Sequence, residues 1–325
     1  MRQSLLDQLK CPATQQKLRL ESGSASEPID EDVLVSEDGQ HRYPVRKGVP
    51  RFVPETNYAD NFGMLWNHFA RTQLDSHSGH PISADRFWKA TGWKPEAMKG
   101  KWLLDVGCGS GRFAEIALSS GANVVALDYS TAVDACYANL GHHPNLHVVQ
   151  GDVFALPFAP GSFDFVYSLG VLQHTPDVHR AFSALPPMVA PGGSLVVDYY
   201  EKRLTALLHS KYLLRPLTKR MNQETLFAML EKIVPVLLPV SQALGKVPVA
   251  GRALKRLVPV ANDDDNLPLT PRQLREWSLL DTFDWLGPEY DNPQDVPTAR
   301  RWMEESGMRQ IEILHAGHLV ARAIR

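Results

Sequence analysis

Three glycines at alternate positions give the clearest chemical signal in the sequence. Gly107, Gly109 and Gly111 follow the apolar stretch 102–106 and precede the helix-forming stretch 112–121. Glycine allows positive φ angles and a close approach of the backbone to a ligand. The beginning of a helix adds free N–H groups and partial positive charge. We therefore predict that this turn binds a small ligand.

The elements around the turn predict how it is positioned. Strand and helix signals alternate across 101–199, and the pattern resumes at 298–325 after a helical, proline-rich interval. Such alternation predicts an α/β fold, a parallel sheet with helices on both faces. Ligands of these sheets bind outside the carboxyl ends of the strands, which is where the glycine turn would lie. The strands are predicted at 102–106, 123–128, 146–150, 163–169 and 194–200.

Two cofactor classes compete for the glycine turn. A dinucleotide fingerprint needs a glycine at position 112, where this chain has Arg112. The spacing G-x-G-x-G, with Asp105 two residues ahead of it, resembles motif I of class I S-adenosylmethionine (SAM) methyltransferases. Four further segments resemble later motifs of that family in the same order. The five segments are LLDVGCGSGRF, VVALDYS, QGDVFALPF, GSFDFVYSLGVLQHTPD and APGGSLVVDYY.

The resemblance implies a Rossmann-like, seven-stranded sheet that binds SAM and yields S-adenosylhomocysteine. It implies that Asp128 binds the ribose hydroxyls, Asp152 the adenine amino group and the N–H of Val153 a ring nitrogen. Asp105 is either a partner of the cofactor amine or an anchor of the glycine loop. The residues expected to contact the cofactor are Asp105, Gly107, Cys108, Gly109, Gly111, Asp128, Tyr129, Asp152, Val153, Ser168 and Leu169.

The activity implied is in-line methyl transfer to an O, N or C atom of a small metabolite, lipid or glycan precursor. A general base is needed only where the acceptor must lose a proton. We select His174, Tyr199 and Asp284 as catalytic candidates; His174 is equally compatible with a packing role. Tyr200, Asp281 and Tyr290 are further candidates. A catalytically silent SAM-fold partner protein and an RNA-modifying methyltransferase stay open, whereas Arg112 disfavours a nicotinamide dehydrogenase.

The chain is predicted to have four parts. Residues 1–54 form a small β-rich module, 55–100 an aromatic helical lead-in over the cofactor, and 201–296 a helical insertion acting as a substrate cap or lid. The SAM-binding core comprises 101–200 and 297–325.

The first part resembles the zinc-ribbon family that activates several methyltransferases. That family shows two cysteine pairs, of which only Cys11 remains here, with Thr14 at the position of its partner. Structural zinc sites use four ligands, mostly cysteine and histidine. We therefore expect the ribbon shape without zinc, and no other metal site.

Charge and apolar residues are unevenly distributed in the insertion and after it. Residues 201–256 carry a net charge of +8, and 257–305 carry −7. These segments either neutralise each other or form a basic entrance for an anionic substrate or membrane. Pro235, Pro239 and Pro248 predict that no long helix forms. The apolar insertion is compatible with a substrate chamber, a dimer surface or peripheral membrane contact.

Overall composition limits the remaining functions. The 325 residues are 44% apolar and 22% charged, which is typical of globular proteins. A net charge of −2 gives no general attraction to nucleic acid. Segments free of charged residues reach only 17 residues, so we expect no transmembrane segment. Three cysteines and no N-terminal signal pattern favour a cytoplasmic location.

Overall fold

A computed structural model of the chain describes residues 1–23, 27–54, 57–202, 210–262 and 267–325. Part of the two charged segments, Arg203 and Asp263 to Asp265, therefore lies outside the described residues. Eleven strands are present in the described part: β1 Leu18–Leu20, β2 Asp32–Ser36, β3 Arg42–Arg46, β4 Val49–Pro50, β5 Trp102–Val106, β6 Asn123–Asp128, β7 Leu146–Gln150, β8 Phe163–Ser168, β9 Val189–Tyr199, β10 Arg309–Ala316 and β11 His318–Ile324.

The helices divide between the sheet faces and the insertion. They are α1 Gln3–Leu6, α2 Asp60–His68, α3 Asp75–Ser78, α4 Ile82–Thr91, α5 Pro95–Met98, α6 Arg112–Ser119, α7 Ala132–Leu140, α8 Val178–Ser183, α9 Ser210–Thr218, α10 Gln223–Gly245, α11 Gly251–Lys255, α12 Pro271–Leu286 and α13 Val296–Glu305.

Seven strands form the main sheet in the order β10-β11-β9-β8-β5-β6-β7. The five strands from β9 to β7 are parallel, β11 is antiparallel to β9, and β10 is antiparallel to β11. Only β11 is therefore reversed. The central strands are buried on both faces, as expected where helices cover a parallel sheet. The Rossmann-like fold predicted from the sequence is confirmed.

The four strands β1 to β4 form a separate antiparallel sheet that packs beside β7. Arg51 pairs with Gln150 at the end of β7, and its guanidinium also binds Asp134 at 2.6 Å. The small sheet thereby covers the edge of the main sheet, which would otherwise expose unpaired backbone groups. Cys11 is buried with its Sγ 3.3 Å from the Tyr43 hydroxyl. The likeness to a zinc ribbon stays a prediction.

The insertion leaves and rejoins the core at one place. The N–H of Lys202 donates to the carbonyl of Gln294 at 2.8 Å, and the N–H of Gln294 donates to the carbonyl of Tyr200 at 2.9 Å. Between these points, α10 and α12 pack on each other and on Leu65 and Phe69 from the lead-in. The insertion and α2 therefore share one apolar cluster.

Helix α10 corrects one expectation. It continues through Pro235 and Pro239, so the prediction that these prolines break it is wrong; Pro248 lies beyond its end. Both prolines are exposed, as is Glu231. Water can therefore bind the carbonyls that the missing N–H groups leave unpaired. By length and composition α10 could also cross a membrane, although 28% of its most apolar window is buried.

Candidate active site

The glycine loop between β5 and α6 requires glycine for conformation and for space. Gly107, Gly109 and Gly111 have φ angles of +84°, +52° and +96°. A Cβ at Gly107 would lie 2.4 Å from the side chain of Val171. A Cβ at Gly109 would lie 3.2 Å from the indole of Trp66. The loop is thus a cradle that side chains would fill, with Trp66 directly above it.

A cavity of about 970 Å³ opens above this loop at the carboxyl ends of β5, β6 and β8. Its volume is at the upper end of the range for ligand sites, roughly 300–1,000 Å³, which leaves room for a cofactor beside a small acceptor. The predicted residues that line it are Gly107, Cys108, Gly109, Asp128, Tyr129, Val153, Leu169, His174, Tyr200, Asp281 and Asp284. The predicted residues outside its lining are Asp105, Gly111, Asp152, Ser168, Tyr199 and Tyr290.

Asp128 is fixed at the end of β6 by three hydrogen bonds. It accepts from the N–H of Gly109 at 2.9 Å, and from the N–H and hydroxyl of Ser130 at 2.9 and 2.7 Å. Burial raises its pKa despite these bonds. A carboxylate has about four lone-pair sites, so Asp128 can still accept from a ligand hydroxyl in the cavity.

Asp105 lies beneath the glycine loop. It is 2% exposed, and burial raises its pKa to about 8. Within the described part of the chain its Oδ2 has no hydrogen bond of ordinary length, although the neighbouring Tyr167 hydroxyl partly offsets the rise in its pKa. A buried carboxylate oxygen without a partner is costly and suits a cationic amine such as that of SAM. The chain's residues therefore fit this cofactor.

Two other predicted contacts have structural partners. Ser168 donates its hydroxyl to the carbonyl of Val106 at 2.9 Å and joins β8 to β5. Asp152 accepts from the N–H of Phe154 at 2.8 Å and begins the short turn that carries Val153. Asp152 thereby fixes the position of Val153, which lines the cavity.

Aromatic residues from the lead-in cover the cavity. The ring of Tyr58 lies 4.9 Å from that of Tyr129, and the ring of Phe62 lies 5.3 Å from the imidazole of His174. Together with Trp66 above the glycine loop, they line the side of the cavity that faces the lead-in.

His174 is held in one tautomer. Its Nδ1 lies 3.0 Å from the carbonyl of Tyr290, which can only accept a hydrogen bond. In the neutral ring the proton is therefore on Nδ1 and the lone pair is on Nε2. That Nε2 is buried and has no partner in the described residues. Because His174 borders the cavity, a small movement of its ring would bring this lone pair within reach of a ligand proton.

The prediction of Tyr199 as a catalytic residue is wrong, because its side chain is directed into the core. Tyr199 is fully buried near the ring of Trp302, whereas Tyr200 lines the cavity. Successive side chains of a strand face opposite sides, so the next residue takes the cavity position. Tyr200 donates to Asp284 at 3.2 Å, and its ring lies 5.4 Å from that of His174.

Four cations in the cavity wall were missed at the sequence level: Arg86, Lys89, Arg112 and Lys211. Arg112 is enclosed and donates to Ser83 at 2.9 Å and Gln73 at 2.8 Å, both neutral. Burial, followed by the charge of Arg86, lowers its pKa to about 9. This end of the cavity therefore suits an anionic group. The position of Arg112 directly after the glycine loop was the one feature of the sequence that could have indicated a cation here.

Asp198 partly balances these charges. It is 1% exposed, forms an ion pair with Arg86 at 2.8 Å and accepts from the N–H of Gly170. The pair connects α4 of the lead-in to β9 and to the loop after β8. It therefore helps to hold the covering helices over the sheet.

Comparison with known proteins identifies the core. Residues 104–197 match the family model described as a methyltransferase domain. With the strand order, the glycine cradle and the acidic residues described above, this segment is a class I SAM-dependent methyltransferase domain. The domain class and cofactor class predicted from the motifs are confirmed.

Curated relatives resemble the chain over this domain. A ubiquinone biosynthesis O-methyltransferase from Aromatoleum aromaticum is 30% identical over 44% of the chain and 62% of its own length. A demethylmenaquinone methyltransferase from Beutenbergia cavernae is 36% identical over 36% of the chain and 48% of its length. The chain thus spans about half the length of these relatives. An O-methyltransferase family protein from Burkholderia thailandensis aligns at 12% identity over 84% of the chain and 64% of its own, with a TM-score of 0.45.

Proposed function

We propose that the protein transfers a methyl group from SAM to a hydroxyl group of a small acceptor with an apolar body. The observation that carries this proposal is the unpartnered Nε2 of His174 beside the cavity. A hydroxyl acceptor must lose a proton, whereas many other acceptors need no base. The name of one relative, an O-methyltransferase of ubiquinone biosynthesis, agrees with a hydroxyl acceptor, whereas the sterol 24-C-methyltransferases among the relatives are named for transfer to carbon.

SAM, when bound, supplies an already activated methyl group on a sulfonium. The chain's task is to hold the acceptor in line and to exclude water, an effect worth up to roughly 7–11 kcal/mol. The lead-in aromatics Phe62 and Trp66 and the α12 side chains Trp277 and Leu280 line the cavity and serve this purpose.

His174 acts as the general base in this proposal. Its Nε2 takes the hydroxyl proton, and the carbonyl of Tyr290 stabilises the resulting imidazolium through Nδ1–H. Tyr200, which donates to Asp284, borders the same space and positions the acceptor.

The cavity walls support an acceptor that combines an apolar ring or chain with an acidic or polar substituent. Trp277, Leu280 and Trp285 supply apolar surface, and Arg86 and Arg112 supply positive charge. Cations and aromatic faces together favour anionic or electron-rich ring compounds. Phenols and catechols with an apolar tail fit this description.

Calorimetry of SAM and S-adenosylhomocysteine binding tests the cofactor, with Asp128→Ala and NAD as controls. We expect micromolar binding of both ligands, loss of at least tenfold in the variant, and no binding of NAD. Transfer of labelled methyl groups to phenols and catechols then tests the acceptor. Tight cofactor binding without transfer to any hydroxyl compound would favour a silent SAM-fold partner instead.

We also propose that the protein is located in the cytoplasm.

A further inference from the structure

All large apolar side chains that are exposed in the described residues belong to the insertion. They are Leu213, Leu214, Leu217, Val236, Val240, Val247, Val249 and Leu257. Soluble proteins usually scatter exposed apolar residues singly, and a concentrated set indicates an interaction surface. We call these eight residues the outer face.

Helix α10 shows how the outer face is built. Its buried stripe, which includes Leu226, Leu230, Val234 and Leu238, packs in the cluster with α12. A helix on a protein surface normally has charged residues on the opposite stripe. Here that stripe is apolar for more than two turns, with a charged residue at each end. From Lys232 to Lys246 its exposed residues are Lys232, Pro235, Val236, Pro239, Val240, Ala243 and Lys246.

The outer face lies on α9, on α10 and on the turns that flank α11, and α11 connects these segments. The N–H of Gly251 in α11 donates to the carbonyl of Val247 at 2.9 Å, just beyond the end of α10. The N–H of Ser210, which begins α9, lies 3.4 Å from the carbonyl of Arg256, next to Leu257. The apolar residues therefore come from one connected part of the insertion.

The charge around the outer face is strongly positive. Residues 210–262 contain nine lysines and arginines but only two acids, Glu224 and Glu231. Lys211 and Arg215 are directed inward, toward Asp291 and backbone carbonyls. The exposed cations are Lys219, Arg220, Lys232, Lys246 and Arg256. An apolar surface with surrounding cations complements an anionic lipid layer.

We propose that the outer face docks on the surface of an anionic lipid bilayer. The buried stripe of α10 remains packed against α12, so the helix lies along the bilayer instead of crossing it. A second copy of the chain is a poorer occupant, because its outer face would bring the same positive charge into contact.

Docking would bring the cavity to the membrane. Lys211 and Tyr212 of α9 line the cavity, and the next residues, Leu213 and Leu214, are exposed on the outer face. An acceptor dissolved in the lipid would then reach the active site without crossing water. This consequence rests on the proposed function, whereas docking itself does not.

Co-sedimentation with vesicles tests the proposal on the full chain. The probes are vesicles of phosphatidylcholine alone and of phosphatidylcholine with phosphatidylglycerol. We expect binding to the anionic vesicles that weakens with added salt. Val236→Ser with Val240→Ser, and separately Lys232→Glu with Lys246→Glu, should each weaken binding on the order of tenfold or more. Arg300→Glu with Arg301→Glu on α13 removes the same charge elsewhere and should have little effect.

Three outcomes would overturn docking. These are no binding to either vesicle, equal effects of the α10 and α13 charge pairs, and a concentration-dependent dimer that the two valine substitutions abolish. Calorimetric binding of S-adenosylhomocysteine to each variant shows whether the fold and cofactor site are intact. Because that measurement needs no lipid, failure of docking is separate from failure of the proposed methyl transfer.

Discussion

The imidazole of His174 and the carbonyl of Tyr290 form a 3.0 Å hydrogen bond between the methyltransferase core and the returning end of the insertion. Because a carbonyl only accepts, the insertion decides which nitrogen of His174 carries the proton. Catalytic histidines depend on this kind of control by a neighbouring group. The insertion thus contributes to the chemistry as well as to the covering of the cavity.

Replacement of His174 tests its role as the base. In His174→Asn the amide can still donate to the Tyr290 carbonyl but cannot take a proton. We expect kcat with a hydroxyl acceptor to fall about 10²- to 10⁴-fold, while the Kd of S-adenosylhomocysteine stays the same. The matched control is His179→Asn, on the exposed side of α8. An unchanged kcat would reduce His174 to a packing residue.

Two glycine substitutions can separate the effect of a filled ligand site from the effect of backbone strain. Gly107→Ala places a Cβ 2.4 Å from Val171 at a φ of +84°, whereas Gly192→Ala at +79° meets nothing within 4 Å. Conformational strain alone costs about 1–3 kcal/mol, so both variants should lose stability in thermal unfolding. Only Gly107→Ala should also lose cofactor affinity, by at least tenfold in calorimetry. Equal cofactor affinity in the two variants would contradict the conclusion that the glycine loop holds the cofactor.

The sequence predicted the parts of the site that depend on local pattern. The glycine turn after a buried strand, and the acids at the ends of the next strands, follow from a chain that alternates strand and helix. It is harder to predict which of two neighbouring residues in a strand faces the core. Tyr199 faces the core, where it packs near Trp302, and Tyr200 faces the cavity.

Long-range effects account for the remaining differences. Propensity opposes proline within a helix, yet the buried stripe of α10 and its exposed carbonyls allow Pro235 and Pro239. The ion pair between Arg86 and Asp198 joins residues more than a hundred positions apart. No local pattern links such residues, so the contribution of this pair to the charge of the cavity could not be predicted from the sequence.

Cofactor binding should depend on pH through Asp105. Its pKa is raised to about 8 by burial, so near neutral pH it holds a proton in the free protein. Pairing with the cofactor amine requires the ionised form, and affinity for SAM should therefore weaken as pH falls below about 8, by up to roughly tenfold per unit. Calorimetry between about pH 9 and pH 6, in buffers of different ionisation enthalpy, measures the affinity and the released proton.

Asp105→Asn should weaken SAM binding and remove this pH dependence. Asp164→Asn is the control, because that acid pairs with Lys101 on the surface, whereas Asp105 is buried beneath the glycine loop. If the variant at position 105 kept the slope of the unmodified protein, another group would be responsible for the proton.

Acid should destabilise the fold through His147, which is buried in β7 and stacked on Trp102 at 5.3 Å. Burial, assisted by the charge of Arg2, lowers its pKa from 6.5 to about 4. Between these values the unfolded chain binds a proton that the folded chain does not, so the free energy of unfolding falls as pH decreases. The loss begins near pH 6.5, is complete near pH 4 and amounts to about 3 kcal/mol at most.

Urea unfolding at several pH values measures this loss of unfolding free energy. The loss should be smaller for His147→Gln and unchanged for His77→Gln, which replaces an exposed histidine. Parallel curves for all three proteins would assign the acid sensitivity to other groups.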